Sequence, residues 1–196
     1  MDLSLHRFES RLADYRPSKR ARVINNRRAA VAAILRFDRG APDVLLMKRA
    51  SHRKDRWSGQ ISFPGGREEP SDASLGATVA RETFEEVGVD LDTSARLLGR
   101  LRPLRAVARG KFLPMAITPF VFVQTSAVAL DLGDEAAEVF WLPLDRAAAG
   151  ELSSEFDYSL GPISKKFPCW RYEGHIIWGL TFQMLQNLLE VVASGE

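Results

Sequence analysis

The segment FPGGREEPSDASLGATVARETFEEVGV, Phe63 to Val89, leaves a chain few ways to fold. ISFPGG reads as a brief strand that stops at Pro-Gly-Gly, where Gly65 and Gly66 permit a tight turn and a close approach to a ligand. Ser71 or Asp72 can cap a following helix, and Gly88 ends it. At about 100° per residue, Glu82, Glu85 and Glu86 share an arc of about 100° on that helix. Ala77, Ala80, Thr83, Phe84 and Val87 take the other side and are expected to pack on a sheet, with Leu75 and Val79 flanking the acids.

Such an arc needs a countercharge. Exposed acidic helices usually carry lysines four residues on, and here only Arg81 is near. At an effective dielectric of about 20, two like charges about 5 Å apart cost about 3 kcal/mol. A hard dication reverses that sign, and clustered carboxylates are what Mg2+ or Mn2+ takes. The carbonyl of Gly66 could complete the oxygen shell. The plain alternative is a solvated acidic face.

Elsewhere, residues 3–15 read as a short helix, and RRAAVAAILRF and PDVLLMKRA as two strands joined at DRGAP. Further strands are expected near Leu97–Leu101, Met115–Thr125, Glu138–Leu144, Phe167–Tyr172 and His175–Trp178. LTFQMLQNLLEVVA reads as an amphipathic helix, entered through a bend at Gly179. Helices that interrupt strands at several points predict helical layers on both sides of a mixed sheet.

With 196 residues, 45% of them hydrophobic, the chain is expected to form one soluble domain, residues 1–196. No apolar run is long enough to span a bilayer, and the first residues do not read as a signal peptide. A lone Cys169 excludes an internal disulfide and fits a reducing cytoplasm, the expected location. One cysteine and three scattered histidines cannot build a usual zinc site. The net charge of +2 is uneven: Arg16–Arg28 and Arg96–Lys111 each hold six bases and no acid. These are either solvated faces or an electropositive rim for a polyanionic ligand. No interleaving of aromatic and basic residues supports a nucleic-acid module.

Gly66, Asp72 and Arg81-Glu82-Thr83-Phe84-Glu85-Glu86-Val87-Gly88-Val89 follow, in order, the signature of the Nudix hydrolases, and the chain resembles that family across most of its length. Two positions depart from the usual pattern. Asp72 stands for Glu with eight residues, not seven, before Arg81, and Thr83 replaces a bulky aliphatic. That spacing is similar to the coenzyme A pyrophosphatase branch, which carries a segment like LLMKRASHRKDRWSGQISFPGG directly upstream. Leu45, Leu46, Arg49, Gly59 and Phe63-Pro64-Gly65-Gly66 match it; Met47 and Lys54 do not.

The resemblance implies the Nudix fold, an α/β/α sandwich with a mixed β-sheet between helices. The Nudix box is residues 66–89, preceded by an N-terminal helix and basic segment over residues 1–25. It implies Mg2+- or Mn2+-dependent cleavage of a nucleoside diphosphate linked to another group. Glu82, Glu85 and Glu86 would ligate the metal with Gly66, and Glu135 or Glu138 from GDEAAEVFW could join them. Whether Glu82 or the metal activates the water stays open. Arg81 would orient the carboxylates, with the shifted Asp72 as its expected partner.

Arg49, Arg53, Lys54 and Arg56 are candidate phosphate contacts. Trp57 could stack on an adenine or pack on the fold. Trp170 and Trp178 are expected in the core, and Cys169 as a small buried residue. The expected substrate is a small nucleotide, coenzyme A or its thioesters, with ADP-ribose, NADH and dinucleoside polyphosphates as rivals. The second class of function is a non-catalytic nucleotide-binding regulator on the same fold, usually marked by eroded acids. Monomer and homodimer both stay open.

Overall fold

RRAAVAAILR forms strand β1 (Arg27–Arg36), and both of its faces are buried. Ala29, Val31, Ala33 and Leu35 face one hydrophobic core, and Ala30, Ala32 and Ile34 face another. A strand covered on both sides reads as one continuous apolar run, which is what this sequence shows. The computed structural model describes residues 1–17, 27–52, 57–108, 111–160 and 163–194.

The DRGAP turn returns the chain as β2 (Asp43–Arg49), antiparallel to β1 in the register Leu35↔Val44. β3 (Ile61–Ser62) extends the sheet beyond β2, and β4 (Gly65–Arg67) pairs with β1. β5 (Ala95–Arg100) and β6 (Leu104–Ala108) both pair with β7 (Lys111–Gln124), and β8 (Ala136–Pro143) with β2. β7 runs parallel to β1, so the sheet is mixed; among the described residues it has eight strands. β9 (Ser153–Leu160), β10 (Ile163–Tyr172) and β11 (His175–Trp178) form a second, antiparallel sheet.

Helix α1 (Leu5–Asp14) packs Phe8 and Leu12 into the first core, and α5 (Gly179–Ala193) adds Phe182, Leu185 and Leu188. Helix α2 (Leu75–Val87) covers the opposite face through Val79 and Val87. Short helices α3 (Leu91–Ser94) and α4 (Leu144–Ala148) complete the elements. The molecule is an α/β fold with helices on both faces of a mixed sheet. No described helix is long and apolar enough to cross a membrane.

Several local expectations need correction. The N-cap of α2 is Ser74, whose hydroxyl accepts from the Ala77 N–H, not Ser71 or Asp72. The chain does not leave the sheet at Gly65-Gly66; β4 begins there and hydrogen-bonds along β1. Phe84 is 59% exposed, because Val79, Thr83, Glu86 and Val87 form the buried side of α2. Trp170 is core and Cys169 is buried, but Trp178 is only half-buried, among Phe156, Tyr158 and Phe167 on the smaller sheet. Gly88 closes α2 in the left-handed conformation, and Gly179 bends the chain from β11 into α5 at φ 62°.

Candidate active site

The site forms where α2 lies on β4. Gly65 takes φ 135°, a conformation that L side chains avoid, and donates its N–H to Oε2 of Glu86 at 2.7 Å. A Cβ on Gly65 would press on the Ala30 backbone. A Cβ on Gly66 would come under 3.0 Å from the Glu82 carboxylate. Paired glycines thus bring the strand backbone flush against the acidic helix.

Arg81 organises the exposed side of this seam. Its Nε and Nη2 donate to Oδ1 and Oδ2 of Asp72 at 3.1 and 3.0 Å, a two-point fork. Asp72 also accepts from the Glu69 N–H and the Thr78 hydroxyl, each at 2.9 Å. The Arg81 fork, aided by these donors, holds the Asp72 carboxyl well below the usual carboxylate range. The same fork raises the pKa of Arg81, which stays charged. Its Nη1 then lies 3.1 Å from both Glu82 Oε1 and Glu85 Oε2. The shifted acid therefore reaches Arg81.

Glu86 is only 3% exposed. Burial pushes its carboxyl up to about 7, against the lowering effects of the Gly65 N–H and Arg49, while Glu82 and Glu135 add repulsion. Burial also raises Glu82, opposed by Arg81. Arg49 sets one nitrogen 3.3 Å from Glu86 Oε1 and another 3.3 Å from Glu135 Oε2, bridging helix and late loop. Glu85 is the most open of the three helix acids.

The predicted residues thus separate. Glu82, Glu85, Glu86, Arg81, Gly66, Arg49 and Glu135 come together. Glu138 instead meets His175 Nε2 at 3.1 Å, and that imidazole stacks on Phe140 at 4.2 Å. Trp57 packs on the first core and donates its indole N–H to the Val107 carbonyl at 3.0 Å. Arg53, Lys54 and Arg56 lie outside the described residues. Thr83 is fully buried, and its hydroxyl has no hydrogen-bond partner among the described residues. Sequence reasoning missed the docking of residues 131–133 on the end of α2; the available signal was the turn-forming Gly133-Asp134 pair just ahead of Glu135.

The donors gathered here are hard oxygens, the chemistry that suits Mg2+ or Mn2+ rather than a soft metal. With no side chain at Gly66, the Glu82 carboxylate packs directly against the strand backbone. Among the described residues no three acidic, histidine or cysteine side chains already converge as a finished cage. Among the described residues, the guanidinia of Arg49 and Arg81 lie against these acids as countercharges.

The NUDIX domain profile matches residues 26–161. NudL of Enterobacter sp. (strain 638), described as an uncharacterized Nudix hydrolase, is 33% identical over 190 residues, covering 95% of this chain and 94% of NudL. The crystal structure of RenU, a Nudix hydrolase from M. smegmatis, superposes with a TM-score of 0.56 over 86% of each chain, at 19% identity. A C. elegans Ap4A hydrolase binary complex gives 0.51, over 62% of this chain and 83% of that one, at 21% identity. With the domain matched over most of its length and a relative aligned nearly end to end, the chain belongs to the Nudix hydrolase family.

Proposed function

We propose that the protein is a Mg2+- or Mn2+-dependent pyrophosphohydrolase acting on coenzyme A or its thioesters, with 3',5'-ADP and (acyl-)4'-phosphopantetheine as products. The observation that carries the reading is the seam between α2 and β4, where Glu82 and Glu86 are drawn in against Gly65-Gly66 beside Glu85. Glu82, Glu85 and Glu86 would hold the metal, with the Gly66 carbonyl and Glu135 as further oxygen donors. When bound, the dication supplies charge neutralisation at the phosphate oxygens, which is most of what phosphoanhydride cleavage requires. Arg81, pinned to Asp72, fixes the rotamers of Glu82 and Glu85. Arg49 stands at the rim as a cation for a substrate phosphate.

The choice of coenzyme A rests on the Gly66, Asp72 and Arg81 spacing and on the LLMKRASHRKDRWSGQISFPGG segment. Coenzyme A differs from ADP-ribose by a pantetheine arm and a 3'-phosphate of about two negative charges. Arg49, Arg53, Lys54 and Arg56 supply basic groups for that phosphate. Losing one charge-assisted contact costs about 1.5–3 kcal/mol, about 10- to 150-fold in kcat/KM. Comparing kcat/KM for coenzyme A, its 3'-dephospho form and ADP-ribose with Mg2+ tests the assignment. The expected order puts coenzyme A first, with a loss in that range for the dephospho form. A preference for ADP-ribose would overturn the coenzyme A assignment and leave pyrophosphate cleavage standing.

A further inference from the structure

The last carbonyls of an α-helix have no partner within it and must find one elsewhere. In α2 the Phe84 carbonyl is taken by the Gly88 N–H. The Glu86 carbonyl accepts from the Gly133 N–H at 3.0 Å, and the Val87 carbonyl from the Asp131 N–H at 3.1 Å. The loop from Asp131 to Gly133 therefore lies flush on the end of the acidic helix. The contact is too close for a side chain at either glycine. A Cβ on Gly88 would sit 2.8 Å from Asp131 Cβ, and one on Gly133 would come under 3.0 Å from the Glu85 carbonyl, a backbone atom that cannot swing aside.

Beyond the clamp the path to Glu135 is short and held at both ends. The Ala136 N–H closes a turn onto the Gly133 carbonyl at 3.1 Å, and the Ala50 N–H, just past β2, donates to the Glu135 carbonyl at 2.8 Å. The carboxylate this delivers shares Arg49 with Glu86. Helix end, loop and strand end thus fix one distance, that between the Glu135 and Glu86 backbones.

We infer that Gly133 is a positioning residue: by letting the loop seat directly on the end of α2, it sets Glu135 in register with Glu86 to complete the acidic site. The inference rests on the metal-site reading above but concerns a residue that touches neither metal nor substrate. Gly133 acts through Glu135, so its effect depends on that carboxylate.

The test is Mn2+ affinity of the free protein, measured by electron paramagnetic resonance, with thermal melts beside it. Five proteins are compared with the wild type: Gly133→Ala, Glu135→Gln, their double variant, Glu86→Gln, and one with an extra glycine inserted between Gly133 and Asp134. The insertion keeps both clamp hydrogen bonds but lengthens the path to Glu135, so it decides the matter even where Gly133→Ala fails to fold. Gly133→Ala, Glu135→Gln and the insertion should each weaken Mn2+ binding by about tenfold or more, and the double variant no further than Glu135→Gln alone. Gly133→Ala should lower Tm with or without Glu135, whereas the insertion, which opens only the turn from Gly133 to Ala136, should lower it less. A further loss of Mn2+ affinity in the double variant, or full affinity in the insertion, overturns the inference. Affinity lost in Glu86→Gln but intact in Glu135→Gln also overturns it and leaves the metal reading standing. A wild type that binds no Mn2+ overturns both.

Discussion

Glu86 shows what the fold imposes on a single residue: a carboxylate taken almost wholly out of water, met among the described residues by the Gly65 N–H and the Arg49 guanidinium. Its folded pKa is about 7 against 4.5 for the free group. Between those values the folded chain binds more protons than the unfolded one, so stability falls as pH rises. The contribution is fully present below the unfolded value and is lost as pH passes through about 7. It amounts to about 3 kcal/mol at most. Urea melts in chelator at about pH 5 and about pH 8 measure it. Wild type should lose more stability across this interval than Glu86→Gln; equal losses would contradict the account. The sequence made the acidic arc legible but not which acid was buried, since that depends on how the helix is rolled on the sheet. The Asp72–Arg81 pairing survives its unusual spacing because the helix starts only after Ser74. A turn just ahead of it, closed by the Asp72 N–H on the Glu69 carbonyl, holds Asp72 where Arg81 reaches it.

At the level of the element, the seam between α2 and β4 depends on two adjacent glycines with different tasks. A methyl at Gly65 would strike the β1 backbone at a φ that suits glycine alone, whereas a methyl at Gly66 would strike only the far end of a flexible glutamate. Gly65→Ala should therefore lower Tm strongly. Gly66→Ala should leave Tm near wild type while turnover falls at least tenfold, because Glu82 is displaced from the transition-state geometry. Circular-dichroism melts and steady-state rates on the two variants separate these effects. A Gly66→Ala protein that is as active as wild type would contradict the geometry. The helix, its glycine stop and the turn ahead of it could be read from residue types alone. The strand at Gly65–Arg67 could not, because paired glycines signal a turn locally and pair with β1 only in the assembled sheet. Phe84 departs from expectation for a related reason: an apolar side chain stays exposed where the roll of the helix draws Glu82 and Glu86 in toward β4. Strand β9, not among the expected strands, carries Phe156 and Tyr158 in alternation, a period-2 signal.

Across the whole molecule, the doubly buried β1 takes a layer on each side of the sheet, the layering expected from helices that interrupt the strands at several points. The long-range pairings, above all parallel β1–β7, join segments far apart in the chain and have no local signature. The basic runs seen in the sequence are partly answered on the surface: Arg28 pairs with Glu68 and Arg96 with Glu9. Exposed pairs of this kind stabilise by about 1 kcal/mol or less. The central claim is that the acidic seam between α2 and β4 binds a dication to cleave a pyrophosphate. The most direct measurement is hydrolysis of a panel containing coenzyme A and ADP-ribose by wild type, Glu85→Gln and Glu86→Gln, with Mg2+ and then with chelator. Wild type should cleave a member of the panel only with metal and recover when metal is restored, while both variants stay folded and fall about 100-fold or more in turnover. Turnover indifferent to chelation, or variants close to wild type at saturating Mg2+, would contradict the account.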